Sequence, residues 1–235
     1  MGASASTENP GQCQVSYYIQ YPVDRGTKIN TYYINLDKRA DRRAEVEHEL
    51  QRMQLQPFKR FPAIIHKKGG IGCTQSHIAC LKQGLSSDAS HILIFEDDFY
   101  FVVDPALMHN LLQTVIQTNY DVFMLGYCVA DKTKNIGNTN LVLLKKINEA
   151  ICAHGYMVTR HYAPKLIQNL EEGLKLYMKL DKPSLHANDQ YWKSLQTDDN
   201  WLCYAGGPCG LQRAGYSDID LKTKTGSITD IKTWK

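Results

Sequence analysis

Residues 91–100 read H-I-L-I-F-E-D-D-F-Y, and the reading of this stretch decides the architecture of the chain. It opens with an unbroken apolar run from Ile92 to Phe95, the length and β-branched or aromatic character of a strand buried on both faces. It closes in three consecutive carboxylates, Glu96, Asp97 and Asp98. Adjacent anions repel one another, and a buried carboxylate without a partner is strongly disfavoured. At the mouth of a buried strand such a run calls for cations or solvent. A hard divalent cation with oxygen ligands, Mg²⁺ or Mn²⁺, answers that need and commonly arrives with a phosphate-bearing substrate. The crevice beyond the carboxyl ends of strands in an open α/β sheet is also where ligands bind. The plainer alternative is a strand that simply stops, with its acids in water.

Working outward, 235 residues suffice for one generous domain with its own core, or for one domain and a small appendage. A composition of 43% hydrophobic and 22% charged residues is that of a soluble globular protein. A formal charge of +3, with no Lys/Arg block, gives no footing for a nucleic-acid partner. No apolar run approaches the length of a membrane span. The opening M-G-A-S-A-S-T-E-N-P lacks the charged and apolar regions of a signal peptide, which sets the expectation of a cytoplasmic protein. Gly2 and Ser6 match the short and common N-myristoylation pattern. The seven cysteines are odd in number and contain no C-x-x-C pair, which fits reduced thiols and argues against zinc.

Taken in order, residues 1–28 read as a polar tail or edge addition with an aromatic patch at Tyr17, Tyr18 and Tyr21. Residues 30–36 form a strand, followed by the charged run D-K-R-A-D-R-R and a helix from about Ala40 to Gln54. Residues 58–65 read as a strand interrupted at Pro62. The glycines of residues 69–72 form a loop that opens into a helix over residues 73–85, with Thr74 as its cap. After the acidic strand come a helix over residues 105–118, a strand over 121–126, a polar loop over 131–140, and strands over 141–144 and 151–159. An amphipathic helix over residues 164–180 uses Leu166, Leu170, Leu174 and Tyr177; the pattern is then short and irregular up to a polar tail over 220–235. Strands alternating with helices indicate an α/β fold with a central, mostly parallel sheet in a single domain over residues 29–219.

The pieces Y-Y-I-N-L-D-K-R-A-D-R-R (residues 32–43), F-P-A-I (61–64), G-G-I-G-C-T-Q-S-H (69–77) and I-F-E-D-D (94–98) come in sequence. A-H-G-Y-M-V-T-R (153–160), N-D-Q (188–190) and a Q-x-x-x-x-S-D-I arrangement (212–219) follow. Together they resemble the family 25 glycosyltransferases, which include lipooligosaccharide and collagen hydroxylysine galactosyltransferases. The resemblance implies a GT-A type nucleotide-sugar fold, a UDP-sugar donor, Mn²⁺ or Mg²⁺, inversion at the anomeric carbon, and a glycan or glycoprotein acceptor. Galactose is the sugar expected first, with glucose second. By the same resemblance Asp98, Glu96 and His154 are candidate metal ligands. Asn35, Asp37, Arg39, Arg42, Arg43, Ser76, His77, Glu96, Asp97, Gln212, Ser217 and Asp218 are candidate donor-site residues. Asp189 is the candidate general base that takes the acceptor proton. Each has a plainer reading: solvated ion pairs for the arginines, a core histidine for His77, a helix cap for Asp189.

Two rival functions share these residues. One is a non-catalytic UDP-sugar or protein-binding module on the same scaffold, which would have less need of an intact E-D-D run and Asp189. The other is a metal-dependent phosphohydrolase, whose nucleophilic aspartate pattern or further His/Asp set is not evident in the sequence.

Overall fold

The computed structural model describes residues 27–129, 136–137, 143–219 and 222–224. The tyrosine patch at residues 17–21 and most of the expected loop at 131–140 and tail at 220–235 fall outside them. The described chain enters through strand β1 (Ile29–Asn35) and crosses helix α1 (Ala40–Arg52) to β2 (Phe58–Pro62). It returns through helix α2 (Gly69–Leu85) to β3 (His91–Glu96). β1 lies between β2 and β3 and is parallel to both. The chain leaves β1 toward β2 and leaves β3 toward the opposite side of the sheet, so the crevice at the carboxyl ends of β1 and β3 is a topological switch point.

A turn at Asp97 and Asp98 leads to β4 (Phe99–Phe101), α3 (Pro105–Ile116), β5 (Val122–Val129), β6 (Ile136–Gly137), β7 (Leu144–Ile147) and β8 (Ala150–Thr159). Helix α4 (Ala163–Leu180) and three single turns follow, α5 (Pro183–His186), α6 (Asn188–Tyr191) and α7 (Lys193–Gln196). The last described strands are β9 (Trp201–Tyr204), β10 (Gly210–Gln212), β11 (Gly215–Ser217) and β12 (Lys222–Lys224). Eight strands form one sheet in the order β2-β1-β3-β8-β5-β9-β7-β6. Only β7 and β8 run against the shared direction, so the sheet is mostly parallel, with β8 inserted antiparallel between β3 and β5. Two small antiparallel pairs, β4 with β10 and β11 with β12, stand outside it.

The middle of β3 and the first half of β5 are apolar at every position because both faces are covered. Ile92, Ile94, Val122 and Met124 point into one core with Leu81 of α2 and Leu166 and Leu170 of α4. Their neighbours Leu93, Phe95, Phe123 and Leu125 point into the other, with Val46 and Leu50 of α1 and Leu111 and Leu112 of α3. The strict alternation of faces is the two-residue period of a strand. It buries a large apolar side chain at each step, worth roughly 1.5–3 kcal/mol apiece.

Several local expectations change. β2 stops at Pro62 instead of running to residue 65, since proline has no N–H to continue the ladder, and Ala63 N–H closes on the Asn35 carbonyl at 3.0 Å. The glycines at residues 69–72 are the first turn of α2 and not a loop before it. Thr74 is therefore internal, its hydroxyl donating to the Gly70 carbonyl at 2.9 Å, and no side chain caps the helix at Lys68. Of the strand expected over 141–144, residues 141–142 lie outside the described residues and the described strand is Leu144–Ile147; part of the expected C-terminal tail, Lys222–Lys224, pairs with β11. β9 was hidden in the irregular segment because four residues are too few to show a period; it pairs in parallel with β5.

Phe123, fully buried in the α1/α3 core, is remote from the crevice chemistry. Phe123→Ala should lower unfolding free energy by about 3–5 kcal/mol, read from urea denaturation with an unchanged m-value.

Candidate active site

A cavity of about 430 Å³ opens at the switch point. Ile34 and Leu36 reach it from the end of β1, Cys73, Ser76 and His77 from α2, and Glu96, Asp97 and Asp98 from the end of β3. Ala63, Ile64, Ile65, His66 and Lys67 line a second wall, and Gln212, Ser217, Asp218 and Ile219 a third, with Lys38 and Arg42 also on its surface. Helix α2 approaches closely because Gly72 faces the Ile64 carbonyl; a Cβ there would stand 2.6 Å from that oxygen.

The three carboxylates are held differently. Glu96 receives His77 Nε2 at 3.1 Å and lies 3.7 Å from the Cys73 thiol, while the Gln212 amide reaches its other oxygen at 3.3 Å. Burial raises its pKa, but the hydrogen bond and charge of His77, aided by the charge of His154, outweigh burial and hold it below the usual carboxylate range. Asp97 is buried and saturated: Asn35 donates from Nδ2 at 2.8 Å and Arg42 from a guanidinium nitrogen at 3.0 Å. Here burial prevails and the pKa is raised, with Asn35 and Arg42 opposing it. Asp98 is partly exposed; Arg42 reaches it at 3.4 Å and Gln212 at 3.5 Å, and its backbone carbonyl accepts Arg213 N–H at 2.7 Å. Glu96 and Asp98 both line the cavity.

The C-terminal segment closes over this cluster. Arg42 also donates to the Tyr216 carbonyl at 2.9 Å, and Asp218 accepts from Arg39 at 2.8 Å and Lys38 at 2.7 Å. Asn35 is braced by Arg60, which donates to its side-chain and backbone oxygens at 2.9 and 3.0 Å and to Asp37 at 2.5 Å.

Asp37 is exposed, and Arg39 divides its guanidinium between Asp41 and Asp218. Arg43 is exposed and pairs with Glu47 at 2.9 Å, outside the cavity lining. Ser76 lines the cavity, but its hydroxyl is spent on backbone: it accepts Ile64 N–H at 2.8 Å and donates to the Gly72 carbonyl at 2.7 Å, tying the 63–67 wall to α2. His154 is buried on β8 against the Phe99 ring, with ring centroids 5.8 Å apart, and is not among the lining residues. Asp189 lies on α6, half-buried and behind the lining, where it accepts Cys152 N–H at 2.9 Å. Burial raises its pKa and the Glu96 charge adds to the rise, against the Cys152 hydrogen bond. Its neighbour Asn188 reaches back to Cys73 Sγ at 3.9 Å, linking the two regions.

Residues 66–182 match the model of glycosyltransferase family 25 (LPS biosynthesis protein). The chain belongs to glycosyltransferase family 25. This family 25 chain carries its G-G-I-G-C-T-Q-S-H and E-D-D segments within the matched region, whereas Asn35, Arg39, Arg42, Asp189, Gln212 and Asp218 lie outside it. No curated protein matches. Among solved structures, A197 from STIV is 12% identical with a TM-score of 0.47, covering 84% of this chain and 93% of its own. A glycosyltransferase involved in glycosylation of the PBCV-1 major capsid is 9% identical with a TM-score of 0.41, over 76% and 93% of the two chains. A mannose-1-phosphate geranyltransferase from Thermus thermophilus gives 9% and 0.41, over 76% and 74%.

Sequence reasoning passed over Lys38, Arg60, Cys73, His66, Lys67 and Ile219. Lys38, Cys73 and Ile219 sit inside motifs already singled out, so a signal was present. Arg60 and residues 65–67 carried none, because their role depends on β2 lying beside β1.

Arg42 is the guanidinium that joins Asp97, Asp98 and the Tyr216 carbonyl. Arg42→Met should destabilise the protein by about 2–3 kcal/mol at neutral pH, toward the low end for a broken buried pair because both groups keep some solvent contact. Asp97 is already raised above its unfolded value, and losing Arg42 raises it further. The folded variant thus holds its proton to higher pH than the unfolded chain, and the deficit relative to wild type should shrink as pH falls through that pKa. Denaturation curves at neutral and mildly acidic pH measure this.

Proposed function

We propose that this glycosyltransferase moves a sugar, galactose first and glucose second, from a UDP-sugar to a hydroxyl of a glycan or hydroxylysine-type acceptor with inversion, on a GT-A type scaffold. The observation that carries the reading is the E-D-D run lining a cavity at the carboxyl ends of β1 and β3, with Arg42 and Lys38 on the same surface. The cavity volume is within the range of small-molecule sites. A nucleoside diphosphate suits a wall that combines fixed cations with acids able to share a divalent ion.

A hard cation, Mn²⁺ or Mg²⁺, fits the donor set: Asp98 and Glu96 are carboxylates on the cavity wall, while Asp97 is held by Asn35 and Arg42. When bound, such an ion supplies Lewis-acid stabilisation of the charge developing on the departing UDP. The chain's own residues would do the rest. Arg42 and Lys38 attract the diphosphate, Asn35 and Arg42 fix Asp97, and Gln212, Ser217 and Asp218 order the closing segment around the donor. Asp189 would accept the proton of the attacking hydroxyl at its carboxylate, Oδ2 being oriented by Cys152 N–H.

The decisive assay measures UDP release from a panel of UDP-sugars, together with direct UDP binding, with Mn²⁺ and with EDTA. Asp98→Ala should abolish cation-dependent turnover and binding; failure of the wild type to bind UDP with Mn²⁺ would sink the reading. Asp189→Asn should bind UDP normally and lower kcat by about 10²–10⁴-fold. Because the Asp189 pKa is raised, the acid limb of the wild-type kcat profile should lie above roughly 4, the ordinary aspartate value, with activity rising as pH rises through it.

A further inference from the structure

Cys73 and His77 are one helical turn apart on α2, so both side chains project from the same face, toward Glu96 at the end of β3. Cys73 Sγ, His77 Nε2 and a Glu96 carboxylate oxygen all lie within 4.8 Å of one another. The Sγ to Oε1 separation is 3.7 Å and the Nε2 to Oε1 separation 3.1 Å. Zinc bonded to thiolate at about 2.3 Å and to imidazole and carboxylate at about 2.0–2.1 Å in a tetrahedron sets its ligands apart by about 3.5 Å from sulfur to oxygen and about 3.3 Å from nitrogen to oxygen. The sulfur-to-oxygen and nitrogen-to-oxygen edges of the triad are already close to those of that figure.

We propose that Cys73, His77 and Glu96 form a binding site for a borderline divalent cation, Zn²⁺ or Co²⁺, at the base of the cavity. The supporting contacts fit ligation. Tyr156 Oη lies 3.1 Å from His77 Nδ1, so Nδ1–H donated to it leaves the Nε2 lone pair for the metal. The Asn188 amide faces the sulfur at 3.9 Å and favours a thiolate there. Binding releases the Cys73 thiol proton and the His77 Nε2 proton to solvent, and replaces the His77–Glu96 hydrogen bond with two metal bonds. Three protein ligands leave the fourth tetrahedral position toward the cavity, for water or a substrate oxygen. Sulfur and nitrogen distinguish this triad from the all-oxygen pair of Asp98 and Glu96. Both sets use Glu96, so zinc would compete with a hard cation for it.

Co²⁺ alone, added to the EDTA-treated full chain, is the probe. A near-ultraviolet thiolate-to-cobalt charge-transfer band with strong visible bands of tetrahedral Co²⁺, displaced by Zn²⁺, is expected. Cys73→Ser should lose the near-ultraviolet band while circular dichroism stays native. The Cys128→Ser/Cys152→Ser double variant should keep it. Tyr156→Phe should keep the band but weaken Co²⁺ about 10–100-fold, as loss of a ligand's orienting partner does. Persistence of the band in Cys73→Ser, its loss in the double variant, or no thiolate band in the wild type overturns the site. In turnover, Zn²⁺ should inhibit the Mn²⁺-supported reaction, and Cys73→Ser should relieve that inhibition. Cobalt bound through Cys73 in a protein that handles no UDP-sugar would uphold this site and overturn the transferase reading alone.

Discussion

Glu96, Asp97 and Asp98 follow one another at the end of a strand whose other residues are in the core, and their mutual repulsion must be compensated within a few ångströms. The compensation comes from every direction. Asn35 arrives from β1, Arg42 from α1, His77 from α2 and Gln212 from β10. Arg42 matters most geometrically, because one guanidinium joins two of the acids to the backbone of the C-terminal segment. Removing any one partner leaves a charge in a poorly solvated place, so the elements around the crevice are interdependent in a way the two apolar cores are not.

The same crowding divides the crevice chemically. On the α1 side the donors are guanidinium and amide and the acceptors are carboxylates; on the α2 side a thiol and an imidazole join them. Glu96 belongs to both halves. Its hydrogen bond with His77 keeps it ionised despite burial, the state either kind of cation requires.

Much of this was legible in the chain itself. The apolar runs ending in charged or glycine-rich turns located β1, β3, β5 and β8, and the helical stripes located α1, α2 and α4 to within a few residues. What stayed hidden depended on distance along the chain. Four residues of β9 carry no period, and nothing in the sequence around Arg60 says that it will brace Asn35 from the neighbouring strand. Residue type also says little about which hydrogen bonds a side chain has left. Ser76 looked available for a ligand, yet its hydroxyl is committed to two backbone groups; Arg43 looked like part of a phosphate site, yet it faces Glu47 on the outer surface of α1. Conversely, the absence of C-x-x-C spacing spoke only to metal sites built from local cysteine pairs, and the Cys73–His77 pair draws its third group from a separate strand.

The pairing of Arg39 with Asp218 spans 179 positions in the sequence. A wall of the crevice is thus made from one of the last described segments of the chain, while the acids it covers follow a strand far earlier in the sequence. During synthesis, at roughly 5–20 residues per second, β1 to β3 leave the ribosome well before the closing segment. For that interval a nascent chain would display its acidic cluster uncovered. The pocket therefore has its third wall only once residues 212–218 are in place.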